Sequence, residues 1–254
     1  MKTRCKYLKS SLGKKYAMAV TGTVLVLFVL GHMVGNLQIF LPPEAINRYA
    51  HFLQGNLELL WPVRLIMLAA ICLHGWSAVT LWAENKAARP VGYYGDPAPL
   101  EASLASRTMI LGGVVVAAFL GYHLLHYTVK LESIHGASVW FADLKTAEGL
   151  PDVYAMIVAG FSVWYVALFY VLGVGALSLH LSHGIQAMFQ SLGLRNHVYA
   201  PCIKCAARAL AVALFIGYAS VPASVAVFGH GKGHLQEVVQ KAAAAKAAAL
   251  EGRK

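Results

Sequence analysis

Apolar residues run along this chain in long, nearly charge-free blocks. Five of them predict five helices, at about residues 16–41, 60–83, 108–129, 155–190 and 208–229. Each supplies the ~17–25 apolar residues needed to cross a bilayer at a rise of ~1.5 Å per residue. The fourth block is longer than a bilayer requires. Polar punctuation separates them: Pro42-Pro43, Arg89-Pro90, Pro97, Pro99, Gly149 and Pro151. Pro222 is placed to bend the fifth helix. The pattern predicts an all-α, polytopic membrane protein. Residues 1–230 form a five-helix bundle, and 231–254 an Ala/Lys-rich tail whose Lys241–Leu250 stretch is expected to be helical.

Composition agrees. Of 254 residues 58% are hydrophobic and only 13% charged, and the mean hydropathy is +0.59. An ordinary globular domain carries about 25% charged residues. A soluble protein of this size could not cover so much apolar surface, and disorder requires the opposite composition. The net charge of +10 would suggest nucleic acid in a soluble protein. Here basic residues flanking spans explain it, and no nucleic-acid partner is expected. The basic Met1–Lys15 start leads into an apolar run too long for a signal peptide, so it reads as a retained first span.

The charges also orient the helices. In the short loops Lys2, Arg4, Lys6, Lys9, Lys14, Lys15, Lys86, Arg89, Arg107, Arg195, Lys204 and Arg208 fall on one side, and Arg48, Arg64, Lys130 and Lys145 on the other; the tail adds Lys232, Lys241, Lys246, Arg253 and Lys254 to the second side and narrows the contrast. The positive-inside rule then puts the N-terminus in the cytoplasm and, after five spans, the C-terminus outside. Four cysteines imply no disulfide framework. Cys202-Ile203-Lys204-Cys205 has no second pair for zinc and no thioredoxin-like context, so an incidental role is expected.

The chemistry lies inside the blocks, where His32, His74, His123, His126, His180 and His183 all fall. An ionisable residue within a membrane is costly and points to function. Their depths agree. His32 lies ~25 Å beyond Lys15 and His123 ~24 Å beyond Arg107, measured along a helix. His74 lies ~15 Å before Glu84; His180 lies ~22 Å from Arg195, but ~15 Å from Gln190, where Gln186, Gln190 and Ser191 suggest the helix leaves hydrocarbon. Four spans thus offer two histidine pairs at depths ~10 Å apart. Paired imidazoles across a helical bundle are the protein side of a six-coordinate haem b. No Cys-x-x-Cys-His occurs, which excludes covalent attachment. Gly31, Gly35, Gly75 and Gly121 lie beside these histidines, where they leave room for a macrocycle or serve helix packing. Lys14, Lys15 and Arg107 are candidates for propionates of an inner haem, and Arg64 for an outer one. Glu58 and Trp61 open the second span and are candidates for a quinone site.

Several segments together resemble a known family. They are Gly13-Lys14-Lys15-Tyr16-Ala17-Met18-Ala19-Val20-Thr21-Gly22, then Gly31-His32-Met33-Val34-Gly35-Asn36-Leu37, and Pro43-Glu44-Ala45-Ile46-Asn47-Arg48-Tyr49-Ala50. Leu73-His74-Gly75-Trp76, Ala88-Arg89-Pro90, Tyr122-His123-Leu124-Leu125-His126, His180-Leu181-Ser182-His183-Gly184-Ile185-Gln186 and Ser191-Leu192-Gly193 continue the series. The ordered set, covering roughly residues 11–229, resembles the cytochrome b membrane anchor of succinate dehydrogenases and fumarate reductases, in its single-polypeptide, five-helix, two-haem form. The resemblance implies His32 and His123 as ligands of the outer haem iron, and His74 and His180 as ligands of the inner. It prefers His123 over His126 and, through His-x-x-x-Gly, His180 over His183.

The resemblance also implies partners: a flavoprotein subunit with FAD and an iron–sulfur subunit on the cytoplasmic face of a prokaryotic inner membrane, with a quinone, usually menaquinone, as substrate. The chain alone would have no activity; it would serve succinate:quinone oxidoreduction as a non-flavin subunit. One departure stands out. Some two-haem fumarate reductases carry a glutamate two residues before the fourth-helix histidine, and this chain has Ser178. That leans toward the succinate-oxidising branch. The alternatives are a haem b subunit of a hydrogenase or formate dehydrogenase type, or a non-redox anchor without haem.

Overall fold

A computed structural model describes residues 7–89, 91 and 107–251. Lys2, Arg4, Lys6, Pro90, Pro97, Pro99, Arg253 and Lys254, used above for topology and punctuation, lie outside the described residues. Nine α-helices are found among those described: α1 Ser11–Leu37, α2 Pro43–Gly55, α3 Leu57–Ala87, α4 Met109–His123, α5 Glu132–His135, α6 Val153–Phe161, α7 Trp164–Ser191, α8 Ala200–Phe228 and α9 Lys232–Glu251. A π-helical segment, Leu124–Val129, continues α4. No strand occurs among the described residues.

Five helical segments are long and apolar enough to cross a membrane: Ser11–Phe40, Leu57–Ala87, Met109–Val129, Trp164–Ser191 and Ala200–Phe228. Between 6% and 33% of each span's most apolar window is buried within the chain. The rest is apolar surface turned outward, which only lipid or a partner tolerates at this scale. Several polar side chains within the spans close on their own backbone. Thr21 donates to the Ala17 carbonyl at 2.7 Å, Thr23 to Ala19 at 2.9 Å and Ser220 to Gly217 at 2.7 Å. In hydrocarbon there is no water to take those protons.

The fourth apolar block, predicted as one helix over 155–190, is two. Its first part is α6, whose residues from Tyr154 to Phe161 are all buried. Ser162 ends it, bonding the Val158 carbonyl through both its Oγ and its backbone N–H. The spanning helix α7 starts only at Trp164. The block is longer than a bilayer needs because α6 is apolar for another reason, enclosure in protein. The fifth helix starts earlier than predicted, at Ala200, and Pro222 lies within it. It ends at Gly229, whose φ of +71° allows the His230 N–H to reach back to the Ser224 carbonyl. The predicted helix in the tail extends over all of α9.

The chain divides into two compact units. The first comprises Met1–Leu30, Trp61–Val116 and Ala176–Leu214; the second comprises Gly31–Leu60, Ala117–Gly175 and Phe215–Lys254. In the first unit, Lys14 is buried and its ammonium pairs with Glu84, which joins the start of α1 to the end of α3. Thr23 of α1 reaches the Met188 sulfur of α7 at 2.9 Å.

The second unit has an apolar core in which Ile39 and Ile46 meet Tyr154, Val158 and Phe161 of α6, Tyr170 of α7, and Val221 and Val225 of α8. A second cluster sets Phe141, Leu144, Ala155 and Met156 against Val238 of α9. Asp152 ties these parts together. It is 2% exposed and accepts from Asn47 Nδ2 at 3.0 Å, from the Ala155 N–H at 2.9 Å and from His234 Nε2 at 2.8 Å. Asn47 in turn accepts from the Tyr154 N–H at 3.0 Å. Burial, and then the Asp152 charge, push the neighbouring Tyr154 phenol up. Lys130, just past the third span, has its ammonium held below the ordinary value by burial and by Lys145.

Candidate functional site

Each unit holds one of the histidine pairs. In the second unit His32 of α1 and His123 at the end of α4 approach to 5.8 Å between ring centroids, with ring planes at 74°. Aromatic rings enclose the pair. Tyr218 lies 6.2 Å from His32, and Phe119, Tyr127 and Tyr170 lie 6.3, 6.1 and 5.9 Å from His123.

In the first unit His74 of α3 and His180 of α7 lie within electrostatic reach of one another. His74 Nδ1 is 3.2 Å from Thr21 Oγ1. The single Thr21 proton is already given to the Ala17 carbonyl. With that proton committed, Thr21 Oγ1 is an acceptor for a proton on His74 Nδ1, and the Met18 backbone bonds the same ring; a proton on Nδ1 leaves Nε2 with a lone pair, the tautomer a metal ligand needs. A Cβ on Gly22, one residue on, would lie 3.5 Å from His74 Cε1. His180 rests against Gly112 and Gly113 of α4, where added Cβ atoms would lie 3.9 Å from its Nδ1 and 3.6 Å from its Cε1. Its Nδ1 is buried without a hydrogen-bond partner.

The remaining predicted residues are placed as follows. Lys14 is committed to Glu84, while Lys15 and Arg107 are exposed. The Arg64 guanidinium lies over the Trp61 ring at 5.4 Å, and both side chains are exposed. Glu58 is exposed in the first turn of α3. Of the glycines named from the sequence, Gly35 receives the Tyr49 ring, which an added Cβ would meet at 3.0 Å; at Gly31, Gly75 and Gly121 it would meet nothing within 4 Å. Ser178 is buried with its Oγ unpartnered. Cys202 and Cys205 are free, exposed thiols in the first turns of α8.

Sequence reasoning missed Thr21, the Gly112-Gly113 pair and Tyr170. Thr21 had a readable signal: it lies eleven residues before His32, three helical turns along one face. Tyr170 had none, because its meeting with the third helix depends on packing. No protein-family model, no curated protein and no solved structure matches the chain. The fold is all-helical with five candidate membrane-spanning helices among the described residues, and His32, His74, His123 and His180 fall on four of them.

Proposed function

We propose that this chain is the membrane-anchoring dihaem cytochrome b subunit of a succinate:quinone oxidoreductase, relaying electrons between an iron–sulfur subunit and a quinone of the menaquinone type. One observation carries the reading: four different spans supply two separate imidazole pairs, one in each unit. The residues fit haem. Among the described residues no group of three or more His, Cys, Asp or Glu side chains comes together to hold a bare ion. A pair suffices when the metal arrives in a macrocycle that fills its other positions. Bound haem supplies one-electron transfer.

The chain's own residues do the rest. His32, His74, His123 and His180 offer ring nitrogens, and the Thr21 hydroxyl is an acceptor for a proton on His74 Nδ1. The apolar spans exclude water. Lys15, Arg107 and Arg64 are the cations available to propionates, since Lys14 is neutralised by Glu84. Glu58 and Trp61, exposed on α3, serve quinone binding and proton exchange on the outer side. The flavoprotein and iron–sulfur subunits dock on the cytoplasmic face, where the basic loops lie.

The test is haem stoichiometry. The chain, purified with whatever copurifies, should contain two non-covalent haems b by pyridine haemochrome assay and reduced-minus-oxidised spectrum. A colourless preparation overturns the redox role. A second result should follow at the inner pair. Thr21→Val removes the hydroxyl beside His74 Nδ1 while keeping the side-chain shape, and leaves the ring its bond to the Met18 backbone. It is expected to weaken haem retention there by about 10- to 100-fold, the usual effect of losing such a partner. Haem per chain after extended detergent washing would then fall from two toward one.

A further inference from the structure

The hydrogen-bonding of the outer pair runs deeper than His32 and His123. The Tyr170 hydroxyl on α7 lies 3.3 Å from His123 Nδ1 and 3.0 Å from His126 Nδ1. Both histidines belong to the third span, three residues apart, and the π-helical segment begins between them at Leu124. Segments of this kind recur at functional sites. His126 is fully buried, with its ring stacked 4.0 Å from Tyr127 and 5.7 Å from Phe141. Tyr170 is itself held edge-on by Phe161 at 4.9 Å and Phe119 at 5.3 Å, and is 6% exposed. A hydroxyl so fixed cannot swing away from either imidazole.

One hydroxyl between two ring nitrogens has a definite polarity, because it holds one proton. If His123 gives its Nε2 to a metal, its Nδ1 carries a proton and needs an acceptor. Tyr170 oxygen is that acceptor, and its own proton goes to His126 Nδ1. His126 must then bear its proton on Nε2. That atom is buried without a partner. It and the Tyr127 hydroxyl both turn toward Gly160, where an added Cβ would lie 3.1 Å from one and 2.5 Å from the other. His126 Nε2 thus lies against Gly160 of α6, and the ring serves as a buttress to Tyr170.

We propose that Tyr170 is the positioning residue of the outer pair: its hydroxyl accepts the Nδ1 proton of His123, donates to His126, and so fixes the orientation of the His123 ring beside His32. This rests on the haem reading above. The bond does more than orient the ring. Accepting the Nδ1 proton raises the basicity of the ligating nitrogen, which favours the oxidised metal.

The experiment is a redox titration of purified Tyr170→Phe in the assembled complex, with low-spin EPR of both haems. The outer haem is identified as the one lost in His32→Ala. Phenylalanine keeps the aromatic packing but leaves His126 Nδ1 buried and unpaired, which destabilises the chain. The double variant Tyr170→Phe/His126→Phe removes that orphan, since replacing both partners by apolar groups is nearly neutral. Expected in both variants are two haems per chain, an upward shift of the outer midpoint potential, a changed outer EPR signal and an unaltered inner haem. Wild-type potentials and EPR signals for both haems in the variants would overturn the role of Tyr170 and leave the haem reading intact. A wild-type chain without haem would overturn both.

Discussion

On the function proposed above, His32→Ala should remove one haem b and His74→Ala the other. This follows from the separation of the pairs into two units with no ligand in common. His32 faces His123 at 5.8 Å, whereas His74 is tied to Thr21 and lies within electrostatic reach of His180. An axial ligand is a direct metal bond, so its loss should exceed the about 10- to 100-fold effect of losing a supporting hydrogen bond. The pyridine haemochrome yield should fall to half of wild type in each variant, and the two difference spectra should lack different components. His123→Ala should match His32→Ala, and His180→Ala should match His74→Ala. His126→Ala and His183→Ala should keep both haems. Loss of the same haem in His32→Ala and His74→Ala would break the pairing.

The second large effect is on stability. Asp152→Ala should loosen the second unit by about 3–5 kcal/mol, the range for removing one partner from a buried charged network. The carboxylate caps α6 through the Ala155 N–H, holds Asn47 of α2 and pairs with His234 of α9. Alanine removes all three bonds at once and leaves the buried Asn47 amide without its acceptor. Asp152→Asn keeps an oxygen for the cap and should cost less, about 1–3 kcal/mol. Hydrogen exchange in detergent reads this directly. Amides of α6 and α9 should exchange about 100-fold faster or more in Asp152→Ala, since each 1.4 kcal/mol is about tenfold. By comparison the Lys246–Asp143 pair is exposed at the surface, and its loss should be worth at most about 1 kcal/mol.

The spans were legible because hydrocarbon imposes a length and a composition that no other environment demands. Four of the five predicted ranges lie within observed helical segments to within a residue or two, and the fourth was overextended at its start. There the signal failed for a physical reason. A helix buried in protein and a helix facing lipid are both apolar on every side, so α6 merged with α7 until Ser162 was seen to end it. The opposite failure concerns α2. Its Pro43 start and Glu44 suit a helix N-terminus, but its mean character is neither apolar nor spanning, and what fixes it is burial of Ile46 and Asn47 against the second unit's core.

The same division holds at the site. The sequence by itself predicted helices long and apolar enough to cross a membrane, histidines within them and, by counting, shared depths for His32 with His123 and His74 with His180. Rise per residue is a property of the helix alone, so depth along it is readable from counting. Which side chains support those histidines was decided by tertiary structure. Thr21 meets His74 across 53 positions of sequence, and Tyr170 meets His123 and His126 across 47 and 44. Lys14, a propionate candidate by position, is claimed by Glu84 from 70 residues away. A hydrogen bond is satisfied by whatever packing brings within about 3 Å. Rotation of one helix against another sets that distance, and no residue count along a single helix contains it.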